Sequence, residues 1–244
     1  VQIDYTCRTV DGAIAATTSE AVTQDADLPK AGIFAMPRAY QPVTVIAGEP
    51  AEASQQPMAQ GFDEALTAAL TRQVVGLSPD SSQRVEVTAA TDAALPRHER
   101  FIDLARVRTR SKDLTTTLPE YEAKTGKAPE IGDIVAFEAG MTGQVVEIAG
   151  GQVTFRLEAE PGTVLATTFG PARVRDAGDH FEIDIEAEEG GLVRTGPLVG
   201  RIVNVTASMF TLDFGHPFGG EALRCEVIPV RLPGAAETAK ASHE

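Results

Sequence analysis

From Ile131 to Val205, valine, isoleucine, threonine and phenylalanine alternate with polar residues, and glycine pairs interrupt them at short intervals. Period-two alternation sends one face of a strand into a core and the other into water, and glycine-rich breaks reverse the chain. The stretch therefore predicts consecutive antiparallel strands. Two parts of it repeat: Gly143-Gln144-Val145-Val146-Glu147-Ile148 with Val153-Thr154-Phe155 aligns without a gap to Gly200-Arg201-Ile202-Val203-Asn204-Val205 with Phe210-Thr211-Leu212. This predicts two hairpins of one design with differing upstream partners, a partial duplication.

Upstream the pattern is mixed. Residues 1–20 read as a strand, a turn at Asp11-Gly12 and a second strand through Ala13-Ile14-Ala15, and 42–48 as a further short strand before a polar linker. Phe62, Leu66, Leu70 and Val74 then fall at helical spacing, with Asp63 and Glu64 where the helix dipole favours acids and Gly76 and Pro79 as stops. They predict a helix from Phe62 to about Val75. Residues 84–90 alternate as a strand, and Leu118 to Thr125 reads as a short helix with Pro119 in its first turn and Gly126 past its end. Between these lie Arg97, Arg100, Arg106, Arg108, Arg110 and Lys112, which predict a solvated face paired with nearby acids in preference to a docking patch.

With 244 residues, 43% of them hydrophobic, the chain can bury a substantial core. Its 35 acidic and 21 basic residues give a formal charge of -14, which repels phosphate backbones and argues against a nucleic-acid partner. No apolar run has the length of a bilayer span, so direct membrane insertion is not expected. Val1 in place of methionine, with strand-like alternation from the first residue, reads either as a mature exported chain or as a truncation. Cys7 and Cys225 stand near opposite ends, which excludes a CxxC motif and a cysteine-rich zinc site. The histidines are dispersed, the acids from Glu182 to Glu189 read as a solvated strand face, and no metal or cofactor is expected.

The segment Phe210-Thr211-Leu212-Asp213-Phe214-Gly215-His216-Pro217-Phe218-Gly219-Gly220 resembles the aspartate–histidine–proline–glycine stretch before the last core strand of SlyD-type FKBPs. Tyr5 to Gly12 is similar to the tyrosine strand and Asp-Gly turn that open these proteins, and Gly61-Phe62-Asp63-Glu64-Ala65-Leu66 is similar to the start of the family helix. The resemblance implies an α+β fold, an FKBP-like antiparallel sheet with one packed helix, interrupted by a mainly β insertion. It implies a discontinuous FKBP-like domain over 1–130 and 213–233, an enlarged insert-in-flap domain over 131–212 carrying the repeated hairpin, and a tail over 234–244.

Prolyl isomerisation works by desolvating the X-Pro bond in an apolar aromatic cup, so the implied pocket can be audited position by position. Tyr5 and Phe62 retain its catalytic positions. Ala16, Val43, Ala94 and Cys225 stand where the family has aspartate or aromatic residues, and Ala59 falls near a residue that supplies a backbone contact. Asp213, His216, Pro217 and Gly219 belong to the family motif, His216 as a structural hydrogen-bond partner. In an FKBP-like sheet the first and last strands are neighbours, which favours a Cys7–Cys225 disulfide over two buried thiols, a bond that would fill the old cup and suit an oxidising compartment. The histidine-rich nickel-binding tail of many relatives is missing. The implied function is a polypeptide-binding chaperone or assembly protein with weak or lost isomerase activity. Its partners would be a polypeptide client or partner subunits, and its location periplasmic or otherwise exported, with the cytoplasm as the alternative. An accessory subunit of a larger complex and an active prolyl isomerase are the competing expectations.

Overall fold

The computed structural model describes residues 1–48, 60–89, 95–138 and 140–230. The chain opens with strands β1 (Gln2–Arg8) and β2 (Ile14–Thr17), helix α1 (Glu20–Gln24), the short β3 (Val43–Thr44), helix α2 (Phe62–Gln73) and strand β4 (Gln83–Val87). A single turn, α3 (Arg97–Arg100), leads into three five-residue strands separated by one residue each: β5 (Phe101–Ala105), β6 (Val107–Ser111) and β7 (Asp113–Thr117). Helix α4 (Leu118–Thr125) follows. Three meanders come next: β8 (Ile134–Glu138), β9 (Met141–Ala149) and β10 (Gln152–Ala159); β11 (Val164–Thr167), β12 (Gly170–Asp176) and β13 (His180–Ile185); β14 (Leu192–Thr195), β15 (Leu198–Val205) and β16 (Met209–Asp213). Strand β17 (Leu223–Val230) ends the described chain.

The expected fold class is overturned. Among the described residues the protein is mostly β, with 46% of them in strands and 14% helical, arranged as four small antiparallel sheets and four helices in place of one FKBP-like sheet with a packed helix. The excess of strand has a definite source. β5 and β6 occupy the segment whose arginines suggested only a solvated face, β7 follows it directly, and β8 to β16 form three meanders where the repeat had suggested two hairpins.

These strands are nested. In the sheet ordered β7-β10-β9-β8 the first meander closes on β7; in β11-β12-β13-β6 the second closes on β6; in β14-β15-β16-β5 the third closes on β5. Each meander therefore returns to a strand one step earlier in the chain than the meander before it. The turns that open the meanders are alike. Asp133 N–H donates to Glu130 O at 3.1 Å, Thr163 N–H to Glu160 O at 3.0 Å and Gly191 N–H to Glu188 O at 3.1 Å. Gly132, Gly162 and Gly190 occupy the third position of these turns at φ of 96°, 83° and 87°, the left-handed conformation that a type II turn demands there. The duplication is thus a threefold repeat with equivalent upstream strands, the middle copy of which the sequence comparison passed over.

The chain divides into two compact units: Val1–Ile102 with Leu192–Val203 and Leu212–Glu244, and Asp103–Gly191 with Asn204–Thr211. The sequence reading had changed domains at 130 and 213. In the first unit the sheet runs β2-β1-β17-β4, with β3 paired to the start of β1. The helix expected from Phe62 forms as α2, and its Phe62, Leu66 and Leu70 join Ile3, Cys7 and Phe218 in the core. Burying such side chains contributes roughly 1.5–3 kcal/mol each. In the second unit α4 forms where expected, with Thr117 and Glu120 in a reciprocal capping box and Gly126 ending it at φ 74°. Its Tyr121 packs with Val145, Val153 and Phe155. The basic segment finds acids in both units: Arg100 with Asp213 in the first, Arg106 with Asp184 and Lys112 with Asp176 in the second. No helix among the described residues is long and apolar enough to cross a membrane.

Candidate functional site

The first unit contains an open cleft of about 950 Å³. Its foundation is the β1–β2 ladder, fixed by Thr6 and Thr17 hydroxyls 2.8 Å apart and by Thr18, whose hydroxyl accepts from Tyr5 N–H at 3.0 Å and donates to Asp4 at 2.9 Å. These contacts leave Tyr5 and Ala16 facing the cleft. The opposite wall is the irregular segment 35–42 leading into Val43, which pairs with Ile3. The backbone amides of Ala35, Met36, Arg38, Ala39, Tyr40 and Gln41 have no acceptor among the described residues.

The end wall comes from far along the chain. The β14–β15 turn sits on the N-terminus of α2, where Phe62 N–H donates to Pro197 O at 2.8 Å in place of the missing side-chain cap on Gly61. That docking brings Arg194 over the Phe62 ring, its guanidinium carbon 5.0 Å from the centroid. Arg194 also donates to Asp63 at 2.6 Å, Gly196 O at 3.2 Å and Ile33 O at 3.4 Å. The Arg194 side chain is only 12% exposed and that of Asp63 68% exposed. Burial, reinforced by the Asp63 carboxylate and opposed by Arg194, pushes the Tyr5 phenol up to about 12. Tyr5 is therefore a neutral donor throughout the physiological range, and its hydroxyl meets no protein acceptor among the described residues.

The structure thus brings Tyr5, Ala16 and Val43 to one cleft and sets Phe62 beneath it, wholly buried and edge-on to Phe218 at 5.5 Å between centroids. Ala59, Ala94 and the tail 234–244 lie outside the described residues. Cys7 and Cys225 form a disulfide in the core, and neither lines the cleft, so the bond does not fill it. Sequence reasoning missed Arg194 and the 35–42 wall; the turn-forming Gly196-Pro197 after Arg194, and Pro37 and Pro42, were the signals available.

Asp213, His216, Pro217 and Gly219 build the connection from β16 to β17. Asp213 accepts two bonds from Arg100, both at 2.8 Å, and one from Gly215 N–H at 2.8 Å, and the Arg100 bonds hold its carboxyl below the usual range. His216 Nδ1 accepts from Phe218 N–H at 3.1 Å, and burial lowers its pKa, which keeps the ring neutral. Gly219 sits at φ 64°, and a side chain there would strike Leu192. Among the described residues no group of three or more His, Cys, Asp and Glu side chains is placed to hold a metal ion.

The second unit carries its own small groove, about 190 Å³, between α4 and the sheet of β7 to β10. Phe155 stacks on Tyr121 at 5.9 Å and meets Phe137 edge-on at 5.0 Å, and the Lys124 ammonium stands 4.1 Å over the Phe137 ring. Ile131 and Ile134, at 72% and 71% exposure, flank the start of the edge strand β8.

Comparison with known proteins finds no family model and no curated protein that matches this chain.

Proposed function

We propose that this protein binds polypeptide, as a chaperone or assembly protein related to the SlyD-type FKBPs by its three sequence motifs, with prolyl isomerase activity weak or lost. The observation that carries the reading is the cleft. An isomerase cup needs aromatic walls that desolvate a prolyl ring. Here Tyr5 is the one aromatic ring among the lining residues, the walls beside it are Ala16, Val43 and the 35–42 segment, and the Phe62 ring beneath lies under a guanidinium. The same cleft suits an extended peptide. The amides of Ala35, Met36, Arg38, Ala39, Tyr40 and Gln41, unpaired among the described residues, supply donors to a peptide backbone, Met36, Pro37 and Val43 supply apolar contact, and Tyr5 adds a neutral hydroxyl donor. Exposed Ile131 and Ile134 beside β8, with the aromatic groove of α4, support a second apolar surface for unfolded segments.

The Cys7–Cys225 disulfide favours an oxidising compartment, the periplasm or another exported space. The deciding experiment measures, on one preparation, suppression of aggregation of a reduced unfolded protein and turnover of a proline tetrapeptide. Suppression with turnover near the uncatalysed rate is expected. Turnover well above that rate would make the protein an isomerase, and co-purification in fixed stoichiometry without holding activity would make it an accessory subunit.

A further inference from the structure

The geometry points to Arg194 as the specificity-determining residue of the cleft: its guanidinium covers the Phe62 ring, so that the site takes extended polypeptide along its rim and excludes an apolar ring from its floor. The inference rests on the polypeptide-binding reading. An aromatic face at the foot of a cleft is a stacking platform for a prolyl or aromatic side chain, and an arginine placed over it occupies that platform with a cation–π contact. Arg194 is held there from four sides, by the ring at 5.0 Å, Asp63 at 2.6 Å, Gly196 O at 3.2 Å and Ile33 O at 3.4 Å. It rides on the β14–β15 turn that also caps α2, so one docking event both starts the helix and covers its first residue. Arg194, Asp63 and Tyr5 line the cleft, whereas Phe62 does not.

The test compares wild type with Arg194→Ala and Arg194→Met. Removing Arg194 leaves Asp63 largely in solvent, so the alanine variant strands no buried charge. The probes are acetyl-Ala-Ala-Pro-Phe-amide, followed by NMR ring-current shifts and affinity, and reduced carboxymethylated α-lactalbumin for general polypeptide binding. The alanine variant should bind the tetrapeptide about tenfold more tightly, with upfield proline resonances from stacking. The methionine variant, which keeps a side chain over the ring, should match wild type. Unchanged tetrapeptide affinity in an alanine variant of native melting temperature, or an equal gain in the methionine variant, overturns the assignment. If the alanine variant does not fold, Asp63→Ala should give a gain of about threefold by freeing the guanidinium, and no gain there overturns it equally. Failure of wild type to bind the carboxymethylated protein strikes the polypeptide-binding reading alone, because the tetrapeptide comparison still reports on Arg194.

Discussion

Cys7 and Cys225 stand directly opposite each other in the antiparallel register of β1 and β17, joined by a disulfide that spans 218 positions of sequence. Everything between the first and last strands of the first unit is therefore a closed loop, and closing a loop this long removes much of the freedom of the unfolded chain. The cross-link should contribute about 2–5 kcal/mol, the upper figure being the loop-entropy limit. Calorimetry with and without reductant should show the melting temperature falling by about 10 °C on reduction. An unchanged melting curve, with reduction verified by thiol titration, would show that the strand pairing carries the stability alone.

Gly143 and Gly200 hold equivalent positions in the first and third meanders, and each lies under an aromatic ring of its own unit. A methyl group at Gly143 would meet the Phe137 ring at 2.5 Å, and one at Gly200 would meet the Phe214 ring at 2.9 Å. Gly143→Ala and Gly200→Ala should therefore each lose about 1–3 kcal/mol in urea unfolding. The buried Ala172 stands on the middle meander's β12, the counterpart of β9 and β15, so intolerance of alanine belongs to the two copies with a ring overhead. A neutral substitution at either glycine would sink this account of the repeat.

Phe62 was assigned to a catalytic pocket by its position at the start of the helix, yet it is a core residue packed on Phe218. Phe62→Ala should cost about 3–5 kcal/mol of stability. Under conditions where the variant remains folded, capture of reduced carboxymethylated α-lactalbumin should change less than twofold, since the ring is screened from the cleft by Arg194. Loss of capture by a folded variant would place the ring in contact with ligand.

What the sequence made legible was local. The α2 helix was readable because Phe62, Leu66, Leu70 and Val74 share one face, and the α4 helix because Pro119 and Gly126 mark its ends. The repeat was half-readable: Gly143 and Gly200 begin matching runs, but β12 begins Gly170-Pro171-Ala172 and broke the match. The Glu130, Glu160 and Glu188 turns, each followed two residues on by glycine, were the signal that spans all three copies. β6 and β7 escaped notice because exposed arginines and threonines dominate them, and β5 because its Phe101-Ile102-Asp103-Leu104-Ala105 does not alternate, so no buried alternation betrays the strands. The cleft was least legible of all. Arg194 reaches Asp63 across 131 positions of sequence, and nothing near either residue announces that a distant hairpin turn will cap α2.

In the second unit Asp133 gathers three donors, Tyr121 Oη at 2.8 Å, Lys127 Nζ at 2.7 Å and Glu130 N–H at 3.0 Å, and the Lys127 contact foremost draws its pKa down to about 2. A carboxylate depressed in the folded state binds its proton more readily when unfolded. Its stabilisation is therefore complete above the unfolded value near 4 and is lost as pH falls toward 2. Tyr121 has the opposite sign: burial first, and then its bond to Asp133, raise its pKa, so its share persists below pH ~10 and is lost only as pH climbs beyond. Amide hydrogen exchange at Val145 and Val153, which pack on Tyr121, should show protection falling from pH 4 to pH 2 in wild type. The exchange must be corrected for the intrinsic pH dependence of each amide. In Asp133→Asn protection should be lower near neutral pH and flat across the acid range, because the asparagine keeps the shape but has no proton to gain. An acid slope that survives in the variant would move the effect to another carboxylate; Glu120, lowered by its capping bonds to Thr117 and Thr116, is the one to substitute next.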